Sequence, residues 1–341
     1  MLGESRLVPI SAARKKSPQR KVEAPSWKLR RSGGLQILEA SPLAQLEWLV
    51  HGFSTRPGGA SEIESSAHGP RGSAAMRTER VLNLGFTEWD QRERVLDNRK
   101  QFFGAIAPGK GPRENRAAKL QPVTLRQIHS DIPRRVDTAL AESKLAPQGD
   151  ALFTREPGYL LAVQTADCIP ILLADTRLRA VAAVHSGWRG TLRRIAAKTL
   201  GRMQMEFGTR PGDVIAALGP GIGRCCYEVG EDVAREFNAQ FPQAREWFDG
   251  PFDALASGES DPNWLPWLTM KPPGHAPPPL RVNLDLHAAN RAILGDAGVP
   301  PAQIHAADYC TACRTDLFFS YRRDSGSGRP TGRMMAAIGI K

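Results

Sequence analysis

The segment YLLAVQTADCIPILLADTRLRAVAAVH (159–185) is the most informative about the fold, because it holds three short apolar runs separated by turn-forming residues. The runs are residues 159–165, 170–175 and 180–185, and each has the length of a β-strand. Only four residues separate one run from the next. Parallel neighbours need long crossover connections, so this stretch predicts a mixed or mostly antiparallel sheet.

Further elements are predicted on both sides of this stretch. Helical character is seen in four segments, 89–105, 191–207, 229–241 and 285–297. Asp285 is suited to cap the last helix, and Gly298 to end it. Strands are predicted at 214–219, 317–321 and 334–340. Three polar, basic or proline-rich segments are predicted to be loops, 62–80, 107–121 and 249–280. We find no internal repeat and no clear linker, which favours one α+β domain over residues 36–341.

The positive charge is concentrated at one end of the chain. The formal net charge is +11, and residues 1–35 contain nine Lys or Arg against two Glu, which accounts for +7 and leaves +4 for the other 306 residues. We therefore predict that 1–35 is a disordered basic tail. Nucleic-acid binding is not expected of the folded part, although the tail itself could contact nucleic acid or a membrane surface.

The compartment is predicted from what the sequence lacks. No apolar run approaches the roughly 18 residues of a membrane span, and the N-terminus has no apolar core of a signal peptide. The five cysteines are an odd number, which argues against a disulfide framework. We expect a cytoplasmic protein with reduced thiols and no membrane partner.

Three candidate metal ligands each follow an apolar run. His129 closes PVTLRQIH (122–129), Cys168 follows LLAVQTAD (160–167), and His185 closes AVAAVH (180–185). A catalytic zinc commonly takes three such ligands and keeps a fourth position open. The spacing alone leaves two alternatives: a buried structural cysteine with unrelated histidines, or a Cys–His dyad with Cys168 as nucleophile.

A series of motifs in constant order carries a family resemblance. The motifs include HGFSTRPGGAS (51–61), LRQIHSD (125–131), GDALFT (149–154), QTADCIPILLAD (164–175), AVHSGWRGT (183–191), LGPGIGRCCYEVG (218–230) and CTACRTDLFFSYRRD (310–324). Together they resemble the laccase-domain, YfiH-like family of purine nucleoside phosphorylases, earlier labelled multicopper polyphenol oxidases. The resemblance covers roughly residues 45–341.

The resemblance implies a fold, a cofactor and substrates. The implied fold is a four-layer α/β/β/α sandwich with mixed β-sheets, and the implied zinc ligands are His129, Cys168 and His185. The implied activities are phosphorolysis of adenosine, inosine and S-methyl-5'-thioadenosine, and deamination of adenosine. A bacterial branch is linked to editing of peptidoglycan precursors. Ser186 departs from the usual Ala of the family, and His287 from an apolar or aromatic residue.

Two reactions place different demands on the remaining residues. Deamination needs an acid/base beside the metal, and Asp167 is the candidate, with a turn residue or a partner of a ligating histidine as the alternatives. Phosphorolysis needs a phosphate site, for which Arg189, just before a predicted helix, and Arg56 are candidates, each of which could instead form a surface ion pair.

Polar residues inside the motifs are candidates for binding the nucleoside. They are Ser54, Asn83 and Gln127. Gln127 lies two residues before His129, and on a strand this spacing directs both side chains to the same face. This favours one pocket that holds both residues.

The other four cysteines and the number of histidines bear on which metals the chain binds. Cys225 and Cys226 are adjacent, which favours core packing over one shared metal, and Cys310-x-x-Cys313 has no second pair of that spacing, so we expect no structural zinc. Cu²⁺ is an alternative at the His129 site, since blue-copper centres also use two histidines and one cysteine. A laccase, however, needs a histidine-rich cluster, and the chain has only seven histidines and no His-x-His pair.

Four functions therefore stand in order. A zinc-dependent purine nucleoside phosphorylase with adenosine deaminase activity comes first, with nucleosides and phosphate as its partners. A Cys/His-dependent hydrolase that edits peptidoglycan precursors is second, and a copper-dependent polyphenol oxidase is a further alternative. A metal- or nucleic-acid-binding module without catalysis is disfavoured by the nearly neutral residues 36–341.

Overall fold

The computed structural model describes residues 26–68, 74–107, 120–143, 145–250 and 281–341, which form a single mixed α/β domain. The strands are β1 Trp27–Ser32, β2 Leu35–Ala40, β3 Leu49–Ser54, β4 Pro57–His68, β5 Ala74–Val81, β6 Gln121–Thr124, β7 Pro133–Arg135, β8 Ala151–Thr154, β9 Tyr159–Thr165, β10 Ile169–Asp175, β11 Ala180–Ser186, β12 Val214–Leu218, β13 Glu228–Gly230, β14 Phe248–Asp249, β15 Arg281–Leu284, β16 Ile304–Ala306 and β17 Met334–Ile340. The α-helices are α1 Ser41–Ala44, α2 Arg92–Ile106, α3 Thr138–Ala141, α4 Trp188–Leu192, α5 Ile195–Phe207, α6 Glu231–Gln240, α7 Leu286–Asp296 and α8 Tyr321–Ser325.

Two six-stranded sheets form the centre of the domain. The first has the order β1-β2-β3-β17-β9-β6, and the second has the order β16-β12-β10-β11-β8-β7. Most neighbours are antiparallel, whereas β6–β9, β7–β8 and β12–β16 are parallel. The predicted mixed sheets and single domain are therefore confirmed.

The three strands of residues 159–185 are divided between the two sheets. β9 pairs with β17 and β6 in the first sheet, while β10 and β11 form an antiparallel hairpin in the second. The expectation that all three share one sheet is wrong, because the link 166–168 crosses from one sheet to the other. Asp167, in the middle of this link, has φ +86°, a conformation that few residues other than glycine adopt.

Alternate residues of these strands face different parts of the core. Leu161 of β9 and Leu172 of β10 belong to one apolar cluster, which lies between the sheets. Leu160, their neighbour on β9, packs with Phe102 of α2 on the outer face of the first sheet. Ile171 of β10 packs with residues of α5, α6 and α7 on the outer face of the second. Helices thus cover both outer faces, as the period of two along a strand allows.

The predicted tail 1–35 extends too far into the chain. Trp27–Ser32 forms strand β1, which pairs along its whole length with β2. Trp27 contacts Phe53 edge to face, with ring centroids 5.2 Å apart, and Arg30 forms an ion pair with Glu39. The basic residues conceal this strand because it lies at the edge of a sheet, where Lys28 and Arg31 are exposed and Arg30 donates to the Ala105 carbonyl of α2. Residues 1–25 lie outside the described residues.

Two further segments differ from prediction. The expected loop 62–80 contains most of the antiparallel ribbon β4–β5, a two-stranded sheet whose sequence is mostly polar and so lacks a regular apolar pattern. The expected strand 317–321 is irregular, because Leu317, Phe318 and Phe319 are buried as an apolar cluster without joining a ladder. Most of the predicted loops 107–121 and 249–280 lies outside the described residues.

The helix predictions hold with shifted limits. The predicted helix 191–207 is divided into α4 and α5 at Arg194, which has φ +57°. The predicted helix 229–241 begins only at Glu231, after the short strand β13. Asp285 caps α7 through a 2.8 Å bond from the Ala288 N–H, as predicted. Among the described residues, no helix has the length and apolar character needed to cross a membrane.

Candidate metal centre

Three separate elements bring the predicted metal ligands together. His185 lies near the end of β11, and Cys168 immediately precedes β10, so that the β10–β11 hairpin places them side by side. His129 comes from the loop that follows β6, where its φ is +55°. The left-handed backbone at His129 marks a sharp change of direction in this loop.

The three side chains converge on one point. The Nε2 of His129 lies 3.8 Å from the Sγ of Cys168, and one ligand atom from each of His129, Cys168 and His185 lies within 4.8 Å of the others. The two imidazole rings meet edge to face, with centroids 4.9 Å apart. Ligand atoms about 2.0–2.3 Å from one tetrahedral zinc are about 3.3–3.8 Å apart. The cluster therefore needs only small adjustments to hold such an ion.

Asp150 is the buried residue that orders this cluster. One of its carboxylate oxygens accepts a 2.9 Å bond from Nδ1 of His185 and a 3.1 Å bond from the His129 N–H. The other oxygen accepts from both the N–H and the hydroxyl of Ser130, each at 2.6 Å. A carboxylate on Nδ1 leaves the Nε2 of His185 free to bind a metal.

The cluster favours charged forms of two of its members. Burial alone would raise the pKa of Cys168, but the charge of His185 and a hydrogen bond from His129 lower it to about 6. Burial alone would lower the pKa of His185, but Cys168 and Asp150 raise it to about 9. A thiolate and an imidazolium therefore stabilise each other at neutral pH, and a divalent cation can take the place of the imidazolium proton.

Space for an ion depends on Gly187. A Cβ at this position would lie 2.7 Å from the Sγ of Cys168 and 3.3 Å from the imidazole of His129. His129 is exposed, whereas His185 is 4% exposed, so the cluster is anchored on one side and accessible from the other. The donor set, the spacing and the open side all fit a zinc ion with a free coordination position.

Comparison with known proteins agrees with the sequence motifs. Residues 50–341 match the family described as "Multi-copper polyphenol oxidoreductase laccase". The chain belongs to this family. It is 36% identical over 308 residues to a purine nucleoside phosphorylase of Deinococcus radiodurans, covering 90% of this chain and 94% of that protein.

Two other relatives extend the comparison. An adenosine deaminase, RL5, from an unknown prokaryotic organism is 35% identical over 198 residues, which are 58% of this chain and 64% of that protein. The crystal structure of the hypothetical protein YfiH of Bacillus licheniformis superposes with a TM-score of 0.68 at 29% identity, covering 92% of this chain and 99% of that one.

Within this family member, Asp167 has a fully engaged carboxylate. Its Oδ1 accepts a 2.6 Å bond from the Thr311 hydroxyl, and its Oδ2 accepts a 2.6 Å bond from the Arg322 N–H. The residue is 7% exposed and lies at the crossing between the two sheets. These contacts hold the segments 311 and 322 beside Cys168, and the acid/base role of Asp167 stays a prediction.

The residues predicted to bind the nucleoside bond to their own chain. The Ser54 hydroxyl accepts from the Met335 N–H, and the buried Asn83 side chain bonds Gly85 and Asp90. Both side-chain ends of Gln127 bond the backbone of Gln164. The strand β6 ends at Thr124, so the expected strand geometry between Gln127 and His129 is wrong. Contacts of these residues with substrate stay predictions.

The two candidate arginines differ in their surroundings. Arg56 is largely covered, pairs with Glu79 and donates to the carbonyl of Thr315. Arg189 is exposed, stacks 4.3 Å from the ring centroid of Trp188, and has no ion pair among the described residues. Arg189 is therefore the candidate with a guanidinium available to an anion.

Three residues for which the sequence predicts no role also lie beside the His129–Cys168–His185 cluster. Besides Asp150, these are Tyr227 and Arg322, whose guanidinium lies 5.2 Å from the Tyr227 ring centroid. Burial and the charge of Cys168 raise the pKa of Tyr227. Asp150, Tyr227 and Arg322 lie in the motifs GDALFT, CCYEVG and SYRRD. The order of these motifs along the chain is the sequence signal that points to these residues, because their spacing has no recognisable pattern.

Proposed function

We propose that this protein is a zinc-dependent purine nucleoside phosphorylase that acts on adenosine, inosine and S-methyl-5'-thioadenosine and also deaminates adenosine. The observation that carries the proposal is the convergence of His129, Cys168 and His185 on one point with an accessible side. Membership of the family and the names of the relatives from Deinococcus radiodurans and RL5 support the substrate class.

The chain's own residues prepare this centre. Asp150 keeps the proton of His185 on Nδ1, so that Nε2 faces the ion, and its bonds to the backbone of 128–130 fix the loop that carries His129. A zinc ion held by His129, Cys168 and His185 supplies Lewis-acid chemistry at its open position. The three ligand atoms already lie close together, so no helix or strand has to move for the ion to bind.

The charge and exposure of the side chains suggest which residues contact phosphate and which contact the nucleoside. Arg189 presents an exposed guanidinium near the end of β11 that forms no ion pair within the described ranges, and such a group binds phosphate through paired N–H donors. Tyr227 and Arg322 form a wall next to Cys168, suited to contact the nucleoside. Asp167 acts as a positioning residue for this wall through Thr311 and Arg322. Arg56, Ser54, Asn83 and Gln127 bond to other residues of the chain, and their contacts with substrate stay predictions.

Product analysis of the purified protein tests the proposal. Adenosine is supplied with and without phosphate, and adenine and inosine are followed separately. We expect adenine to appear only with phosphate, inosine to appear without it, and a chelator to abolish both. Formation of neither product by zinc-loaded protein contradicts the proposal. Reloading with Zn²⁺ or with Cu²⁺ then identifies the active metal.

One observation favours a second function, a Cys168-dependent hydrolase that edits peptidoglycan precursors. The pKa of Cys168 is lowered to about 6 beside His185, which is the environment of a nucleophilic thiolate. This function predicts that metal-free protein retains activity on a precursor peptide amide or ester and that thiol alkylation abolishes it. Loss of all activity on metal removal excludes it.

A further inference from the structure

Four cysteines remain outside the His129–Cys168–His185 centre. The Sγ atoms of Cys225, Cys226, Cys310 and Cys313 all lie within 4.8 Å of one another. The Sγ of Cys313 is 3.6 Å from that of Cys225 and 3.4 Å from that of Cys226. The sulfurs of a disulfide are only about 2.05 Å apart, whereas four sulfurs about 2.3 Å from one tetrahedral zinc are about 3.8 Å apart. We propose that these four cysteines bind a second zinc ion, as a structural site.

Two backbone turns bring the sulfurs together. The N–H groups of Cys226 and Tyr227 both donate to the carbonyl of Gly223, and this tight turn is what allows adjacent cysteines to reach one point. The N–H of Arg314 closes the second turn on the carbonyl of Cys310. The expectation of core packing is wrong for Cys225, which is exposed, and the missing partner of the Cys310-x-x-Cys313 pair is the adjacent pair 225–226.

The backbone around the sulfurs has features of a thiolate site. The N–H of Gly223 donates to the Sγ of Cys310 at 3.2 Å. Such N–H bonds stabilise negative charge on sulfur. A Cβ at Gly223 would lie 3.1 Å from Cβ of Cys310 and 3.3 Å from Sγ of Cys225, so glycine leaves room for the two turns to meet.

The cluster joins two segments that hold the wall of the first centre. Gly221 forms a bridge with Cys310, and the Thr311 N–H donates to the Gly221 carbonyl at 2.9 Å. Thr311 bonds the Asp167 carboxylate, and the N–H of Ile222 donates to the Asp167 carbonyl at 2.8 Å. Four protein ligands leave no open position, so the second ion stabilises these segments and takes no part in catalysis.

Zinc content of full-length variants tests this site. We expect about two zinc ions per wild-type chain and about one in Cys225→Ser/Cys313→Ser. The His129→Ala/His185→Ala variant should retain about one, with X-ray absorption showing only sulfur at about 2.3 Å. Cys225→His should keep the second ion, since imidazole also binds zinc. Arg224→Ala, an exposed change in the same turn, is the matched control and should keep both.

Three results would overturn the second site. They are a wild-type chain with one zinc that the His129→Ala/His185→Ala variant loses, nitrogen or oxygen in the zinc shell of that variant, and a disulfide between these cysteines in freshly purified protein. Each of them leaves the first centre and the proposed activity intact. Failure of the phosphorylase proposal would equally leave the sulfur-only zinc in place.

Discussion

Asp150 shows how one buried side chain can order the proposed metal ligands without being one of them. Its two oxygens bond the backbone N–H groups of Ile128, His129 and Ser130 as well as Nδ1 of His185. Burial alone would raise the pKa of Asp150, but the hydrogen bonds from His185 and Ser130 lower it to about 2. The carboxylate is therefore ionised at neutral pH and presents acceptors only.

Replacing Asp150 tests this role. Both oxygens of the Asp150 carboxylate accept hydrogen bonds from N–H donors. In Asp150→Asn, the amide nitrogen faces one of these donors and cannot accept its bond, so the orientation of His185 or of the His129 loop is lost. We expect zinc to bind about 10- to 100-fold more weakly, measured by competition with a chromogenic chelator. Asp131→Asn, a nearby and more exposed acid that pairs with Lys198, should bind zinc as the wild type does. Equal affinities in the two variants would contradict the role.

Arg189 is the residue proposed to bind phosphate. Its loss should raise the KM for phosphate about 10- to 100-fold, the worth of a charge-assisted hydrogen bond, while deamination of adenosine, which uses no phosphate, is unchanged. Initial rates at varied phosphate measure this in Arg189→Ala. Arg193→Ala, an exposed arginine on the same segment, is the control. A rise in KM of the same size in both variants would show a general charge effect instead of a phosphate site.

Among the elements, the link between β9 and β10 determines the position of Cys168. The link passes from one sheet to the other, and Asp167 fixes its unusual backbone through bonds to Thr311, Arg322 and Ile222. The sequence predicts both strands well, because long apolar runs bounded by turn residues have few alternatives. It does not predict that they join different sheets, because periodicity reports which residues are buried and not against what.

Other elements show the same limit. Strand β17 was predicted at its observed limits, since MMAAIGI is an unbroken apolar run. Strand β1 and the ribbon β4–β5 were missed, because charged and polar strands lack the apolar pattern. In the site, His129, Cys168 and His185 were named from strand ends and the resemblance, whereas Asp150 and the four-cysteine cluster depend on contacts between distant segments.

His51 on β3 provides a prediction for the stability of an element. It is 4% exposed, and its Nε2 accepts a 3.0 Å bond from the Ala40 N–H at the end of β2. Burial lowers its pKa from 6.5 to about 4. As pH falls, the unfolded chain binds the proton first, so stability is lost between about pH 6.5 and pH 4.

The expected loss from this histidine is roughly 3 kcal/mol over that interval. In His51→Gln the side chain keeps an acceptor for Ala40 but has no proton to bind. The difference in unfolding free energy between wild type and variant, measured with denaturant from pH 7 to pH 4, should therefore shift steadily against the wild type. A difference that is constant with pH would refute the assignment, and any metal loss affects both proteins alike.

Across the whole molecule, the two packed sheets support both proposed metal sites. The first centre lies where β6, β8, β10 and β11 end or begin, and the cysteine cluster lies where the segments after β12 and β16 meet. Because β12 and β16 are parallel neighbours, the segments that follow them both start from the same end of these strands. His185 lies near the end of β11 and the other proposed ligands lie in short segments beside strand ends, while the cores between and outside the sheets hold their positions.

One zinc ion bound by His129, Cys168 and His185 is the basis of the proposed activity. Anomalous diffraction at the zinc absorption edge, from crystals of protein purified without added metal, locates such an ion. We predict an anomalous peak about 2.0–2.3 Å from Nε2 of His129, Sγ of Cys168 and Nε2 of His185. A map from catalytically active crystals without a peak at this position would contradict the claim.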